Sequence, residues 1–239
     1  ERVGCYGNSL GDNFGVGHIF LAGEAPGLFY GYVTQGIVQK KDITENGIKY
    51  IKQDGSVGYY QTVNKTTPVA GDVKYVDRNG DGVVDDNDRD IIGNPNPDFT
   101  YGFQTKVSWK SLSLSASFNG VQGRDILNVG NRYNNTPGTK SNNVTRKAFQ
   151  NMWTDENPSN LYPKSTFVVQ NMVMDRYVED GSYLRCSDIT LSYVLPAKWT
   201  NKIGIKNTSV YASVKNAFVI TDYSGYDPEV NSFAFDCLR

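Results

Sequence analysis

The stretch richest in candidate ligating groups runs from Asp77 to Asp88 and reads DRNGDGVVDDND. Oxygen-bearing side chains occupy alternate positions at Asp77, Asn79 and Asp81, Gly82 follows, and Asp88 closes the run. This is the D-x-N-x-D-G-x5-D spacing of a twelve-residue calcium loop. A hard cation takes six to eight oxygens, so carboxylates at alternate positions on a sharply bent backbone suit it. Asp77, Asn79 and Asp81 would bind through their side chains and Val83 through its carbonyl. Asp85 would bind directly or through water, and Asp88 would complete the ring. Calcium placed there would brace a loop and take no part in catalysis. The competing reading is an acidic surface turn closed by Asx hydrogen bonds to its own amides. The flanks do not read as the two helices of an EF-hand.

Catalytic candidates are few. The single histidine, His18, lies in GVGHIF with no GxSxG and no metal partner beside it. Asp125, Asp155, Glu156, Asp175, Glu179 and Asp180 read as loop carboxylates. No spacing pairs two of them on one strand face, as glycoside cleavage would need. Cys5, Cys186 and Cys237 are odd in number and form no CxxC, which argues against a disulfide scaffold and a zinc site. What remains is binding chemistry. Tyr133, Asn134, Asn135, Tyr162, Tyr223 and Tyr226 are loop aromatics and amides that could meet a sugar. The plainer alternative is that they cover loop backbone or a partner protein. A net charge of −1 leaves no basic field for nucleic acid.

The elements that must carry these groups read as strands. From Phe99 to Lys110, Phe99, Tyr101, Phe103, Thr105, Val107 and Trp109 alternate with Thr100, Gly102, Gln104, Lys106, Ser108 and Lys110. That period of two belongs to a strand. SLSLSASFNG follows at once, with Leu112, Leu114, Ala116 and Phe118 on one parity, so a tight hairpin joins the runs around Trp109-Lys110-Ser111. Ile189, Leu191, Tyr193 and Leu195 form a third such row, and Val210, Ala212 and Val214 a weaker fourth. Gly27–Gln39 reads as a further strand or loop edge. Strands of about ten residues, tilted near 40°, rise roughly 25 Å, the height of an outer-membrane apolar band. Phe99, Tyr101 and Trp109 sit near the ends of their row, where interfacial girdles lie. No run of 18 apolar residues exists, so no membrane helix is expected, but barrel strands escape that criterion.

Hydrophobic residues make up 38% while Tyr reaches 16 and Gly 24, a balance expected of many strands and not of a thick aliphatic interior. Val121–Arg176 is long and lacks alternation, with one helix expected over Asn143–Trp153. Such length is unusual in a compact soluble domain and ordinary in an extracellular barrel loop. The Trp109–Ser111 hairpin and the Pro196–Asn207 turn are therefore expected on the periplasmic side. Glu1-Arg2-Val3-Gly4 has no signal-peptide character, so for an exported protein the native start is expected upstream.

Together GLFYGYVTQGIVQ, GDVKYVDRNGDGVVDDNDRDIIGNPNPDFTYGF, SLSLSASFNGVQGRDILN, WTDENPSNLYPK, YVEDGSYLRCSDITLSYVLP and VYASVKNAFVITDYSGYDPEV resemble the end of a SusC/RagA-family TonB-dependent outer-membrane transporter of Bacteroidetes. The resemblance implies an all-β fold: a segment of antiparallel transmembrane β-barrel, here an open curved sheet, with long extracellular loops and a short helix. Residues 1–239 would be part of the C-terminal barrel, with the 77–88 loop inside it. The N-terminal plug and a final aromatic-ended strand would lie outside the chain. It further implies a bacterial outer-membrane location and a SusD-like surface lipoprotein as partner. Energy would come from the TonB complex through the absent N-terminal part, and the cargo would be an oligosaccharide or peptide. Two alternatives stand against this reading. A secreted calcium-dependent β-sandwich carbohydrate-binding module would cover the Phe99–Trp109 row with a second sheet. An enzyme fragment would set two acids across a cleft.

Overall fold

Tyrosine, valine and isoleucine fit a pleated, half-buried surface, and strands form wherever they gather. The computed structural model describes residues 2–6, 17–135, 143–165, 172–200, 204 and 208–229. In chain order the strands are β1 (Arg2–Tyr6), β2 (His18–Leu21), β3 (Leu28–Tyr32), β4 (Thr34–Ile37), β5 (Ile43–Thr44), β6 (Gly47–Ile51), β7 (Val57–Tyr60) and β8 (Thr62–Val63). Next come β9 (Val73–Tyr75), β10 (Val83–Val84), β11 (Arg89–Gly93), β12 (Phe99–Trp109), β13 (Leu112–Gln122) and β14 (Asp125–Leu127). The last are β15 (Val178–Asp180), β16 (Tyr183–Val194) and β17 (Ser209–Thr221). Among the described residues three short α-helices interrupt them: α1 (Val129–Asn135), α2 (Arg146–Asn151) and α3 (Ala197–Thr200). The chain divides into two compact units, one of Glu1–Asn96, Ile126–Glu179 and Asn231–Arg239, the other of Pro97–Asp125 and Asp180–Val230.

The first unit is built from small sheets in the orders β1-β2-β3-β11, β4-β9, β5-β6-β7 and β10-β8. Its interior is made of rings. Tyr50, Tyr60 and Tyr75 are among the largest fully buried side chains, packed with Ile37, Val38, Val84 and Met174. Tyr50 and Tyr60 lie 5.9 Å apart by ring centroid, and Tyr32 meets Tyr75 edge-on at the same distance. Buried phenols need partners. Tyr50 Oη donates to the Asp77 carbonyl at 2.6 Å, and Tyr60 Oη accepts from the Tyr75 amide at 3.2 Å. The composition does not suit a thick aliphatic interior, and here tyrosines supply much of the buried volume. Gly27–Gln39 forms β3 and β4, and Phe29, Tyr30 and Tyr32 are buried.

The helix expected over Asn143–Trp153 forms only at Arg146–Asn151, where Thr145 Oγ1 caps the Ala148 amide at 3.1 Å. Ala148 is buried but Phe149 is exposed, so this helix of under two turns buries no full apolar stripe.

The second unit is a four-stranded antiparallel sheet in the order β12-β13-β16-β17. Its strands have 11, 11, 12 and 13 residues, long as expected. The hairpin turns at Lys110-Ser111, with Lys110 at φ 53° and its ammonium 4.7 Å from the Trp109 ring centroid. Of the Pro196–Asn207 turn, α3 and Gly204 are described and most of the rest lies outside the described residues.

Candidate functional site

The register of the long sheet decides which side chains share a face. Phe103 pairs with Phe118, Val107 with Leu114 and Trp109 with Leu112. Leu114 pairs with Leu191, Leu112 with Tyr193, Leu191 with Ala212 and Ile189 with Val214. The four apolar rows therefore merge into one surface. Near its middle Phe103 stacks on Phe118 at 4.6 Å, and Phe218 adjoins Phe118 at 6.4 Å. Gly120 leaves room on this face for the Tyr101 ring, since a Cβ there would stand 2.3 Å from Tyr101 Cζ. Aromatics mark both ends, with Phe99 and Tyr101 at one and Trp109 and Tyr193 at the other.

All eleven residues of β12 are exposed, Phe103 by 51% and Trp109 by 68%, and Leu114, Leu191, Val214 and Ile220 are open as well. A bare apolar surface of this extent is rare on soluble proteins and marks contact with another apolar phase. Among the described residues no second layer covers Phe99–Trp109, so the β-sandwich alternative fails on its own criterion.

The opposite face is polar. It carries Gln104 and Lys106, then Ser113, Ser115, Ser117 and Asn119, then Thr190 and Ser192, with Ser108 and Ser113 hydroxyls 2.9 Å apart. On this face Arg185, nearly buried, forms ion pairs with Asp227 at 2.6 Å and Glu229 at 3.0 Å. Asn119 Nδ2 donates to Glu229 at 3.2 Å, and an Arg124 guanidinium N–H donates to the Pro228 carbonyl. The segment after β17 is thereby strapped to the polar face. Sequence reasoning missed this network, whose members lie in four segments with no shared period.

The acidic loop lies in the first unit. Gly80 and Gly82 adopt positive φ, 77° and 85°, which bends the backbone around Asp77. The Asp77 carboxylate accepts from the Gly80 amide at 2.6 Å and the Gly82 amide at 2.9 Å. Asp88 accepts from the amides of Arg78, Asn79 and Asp85 at 2.8, 3.3 and 2.8 Å. Asn79 and Asp81 bond the amides of Asp81 and Val83, and Asp85 accepts from Asn87. Asp77 and Asp88 are buried. Burial pushes the Asp77 carboxyl above its usual range, and the Gly82 and Gly80 amides pull it back only in part. The side chains are turned on their own backbone. Among the described residues, no three acidic, histidine or cysteine side chains converge to hold a metal ion.

The other candidates divide between the two units, Asn134 and Tyr162 in the first and Tyr223 and Tyr226 in the second. The side chain of Tyr133 lies outside the described residues. Asn134 is exposed, its carbonyl accepting from the Thr145 amide at 2.8 Å, and the Tyr162 carbonyl accepts from the Trp153 amide at 3.0 Å. Tyr223 lies in the second unit, half-buried with its ring over Gly225, and Tyr226 there is 99% exposed. His18 Nδ1 lies 3.0 Å from the Gly27 carbonyl, a structural contact.

Long antiparallel strands, one bare apolar face ended by aromatics and one polar face define a segment of an outer-membrane β-barrel. No family model matches the chain. It is 33% identical over 214 residues to TonB-dependent receptor P3 of Formosa agariphila, covering 89% of this chain and 19% of that receptor. It is 34% identical over 170 residues to TonB-dependent receptor P26 of the same organism, covering 69% and 17%. TonB-dependent receptor SusC of Bacteroides thetaiotaomicron is 34% identical over 165 residues, covering 66% and 15%. Among solved structures, the RagAB peptide transporter matches with TM-score 0.62 and 24% identity over 90% of this chain and 21% of that one. The open-open RagAB peptide importer matches at 0.58 and 25%, over 90% and 21%. The chain belongs to the SusC/RagA-type TonB-dependent receptors, which are outer-membrane β-barrel proteins and not enzymes. It spans about a fifth of the length of the relatives it matches.

Proposed function

We propose that the chain is the C-terminal barrel portion of a transporter that imports oligosaccharides or peptides across the outer membrane. The intact protein would work with a SusD-like surface lipoprotein and draw energy from the TonB complex. One observation carries this: the row from Phe99 to Trp109 is bare while its alternate residues line a polar face. That arrangement suits hydrocarbon outside and a wet passage inside. The neighbours named as peptide transporters favour the same reading. Deleting the parent gene should abolish growth on the oligomeric cargo and spare growth on its monomers, and loss of TonB should do the same. Peptide and glycan media separate the two cargo classes. Unimpaired growth of the deletion strain on both would refute the proposal.

For the acidic loop we propose a structural calcium ion held by Asp77, Asn79, Asp81, Val83, Asp85 and Asp88. Two buried carboxylates support it, because among the described residues neither Asp77 nor Asp88 has a cationic side chain at ion-pair distance. A carboxylate has about four lone-pair sites, so amide bonds leave it able to bind an ion. Asn79 and Asp81 would have to turn inward. Calorimetry of the full receptor should show calcium binding that Asp81→Ala weakens. Absence of heat, or equal heat in the variant, removes the metal.

A further inference from the structure

The first unit contains a cleft of about 960 Å³ whose wall includes Lys40, Lys41, Lys49 and Lys74 against Asp42 and Asp155. Four ammonium groups less two carboxylates leave an excess of two positive charges, in a chain whose net charge is −1. We infer that this cleft binds an acidic peptide through its carboxylates.

The cations are not equivalent. Lys74 and Asp42 pair at 3.0 Å with side chains only 14% and 11% exposed, which fixes the floor. Lys40 pairs with Asp155 at 2.8 Å, but both are about two-thirds exposed. A pair that open to water is held weakly, so Lys40 can change partners. Among the described residues, Lys41 and Lys49 have no carboxylate within ion-pair distance. Like charges collected in a concave, partly apolar wall raise the local potential and attract anions. A ligand with two or more carboxylates would relieve that repulsion.

The rest of the wall favours a peptide over an acidic sugar. The aromatic residues, Tyr50 and Trp153, are buried and offer no open ring face for a sugar to stack on. Ile51 and Pro158 are exposed instead and can receive aliphatic side chains. The peptide would not add as a strand at Ile51. The Gln35 carboxamide already occupies that backbone, accepting from the Ile51 amide at 2.9 Å and donating to its carbonyl.

Only in calling such a peptide cargo does the inference rest on the importer reading. The test is binding of labelled tetraglutamate to the full-length receptor in detergent, with tetraglutamine as the neutral control. Tetraglutamate should bind at least about 10-fold tighter at low salt, an advantage that falls as salt rises. Lys41→Gln with Lys49→Gln should cut tetraglutamate affinity roughly 10-fold and leave tetraglutamine unchanged. Lys110→Gln, in the other unit, should change neither, and heat-modifiable gel migration checks that each variant is folded. Equal binding of the two peptides, or an unaltered folded double variant, overturns the inference. So does competition by trigalacturonate as strong as that by unlabelled tetraglutamate. A receptor that binds tetraglutamate but imports nothing refutes the importer reading alone.

Discussion

Placing arginine at Phe103 tests which solvent the long sheet faces. Phe103 is the fifth of eleven residues in β12, one residue from the strand centre at Gln104. At ~3.3 Å per residue and a tilt near 40°, it lies roughly 3 Å from the midplane of its apolar band. Arginine there costs about 2–4 kcal/mol if the face meets hydrocarbon. Loss of the 4.6 Å stack on Phe118 adds about 0.5–1.5 kcal/mol. A penalty near 3 kcal/mol shifts a folding equilibrium more than about 100-fold. Gln104→Arg is the control, because its neighbour's backbone is shared but its side chain points to the polar face; its cost should stay below about 1 kcal/mol. Reversible urea unfolding of the full receptor in lipid vesicles measures both, and heat-modifiable migration reports assembly in cells. If Phe103→Arg assembles like wild type while Gln104→Arg fails, the faces have been assigned the wrong way round.

Other outcomes follow from the first unit. Asp88→Ala removes the acceptor of three amides and should destabilise the loop by about 2–4 kcal/mol, seen as faster limited proteolysis near residues 78–90. Tyr50→Phe leaves the Asp77 carbonyl without its 2.6 Å donor and should cost about 1 kcal/mol in urea unfolding. Burial first, then the Asp77 and Asp88 charges, push the Tyr50 phenol from 10 to about 12. A raised pKa means the folded state favours the protonated form. Its contribution is whole below pH 10 and is lost as pH rises towards 12, a loss Tyr50→Phe should reduce. Asp77 follows the same sign in acid. Its carboxyl is raised, so in calcium-free buffer stability should fall as pH climbs from about 4 through its folded pKa, and Asp77→Asn should flatten that slope.

The long sheet was legible because its signal is local. Phe99 to Trp109 and Leu112 to Phe118 each hold the period of two over enough residues to be counted, and the hairpin register followed. The acidic loop was legible as a motif, although its amide bonding shows only in three dimensions. The ring-filled interior was not legible. Its strands run two to five residues, too short for a period, and Tyr50, Tyr60 and Tyr75 meet only through folding. The lysine cleft was hidden for the same reason, since Lys41, Lys49 and Lys74 belong to different turns and strands. The helix expected over Asn143–Trp153 was overlong for a physical reason: only Arg146–Asn151 forms, and Phe149 on it stays in water.

The interleaving of serine with leucine in β13 also has consequences before the barrel exists. To reach the outer membrane a nascent chain must first traverse the inner one without stopping there. Some twenty consecutive greasy residues would arrest it as a helix. In Leu112 to Phe118 every second residue is serine, so this stretch makes no such arrest signal. The greasiness becomes continuous only after neighbouring strands zip side by side, at the membrane where it is wanted.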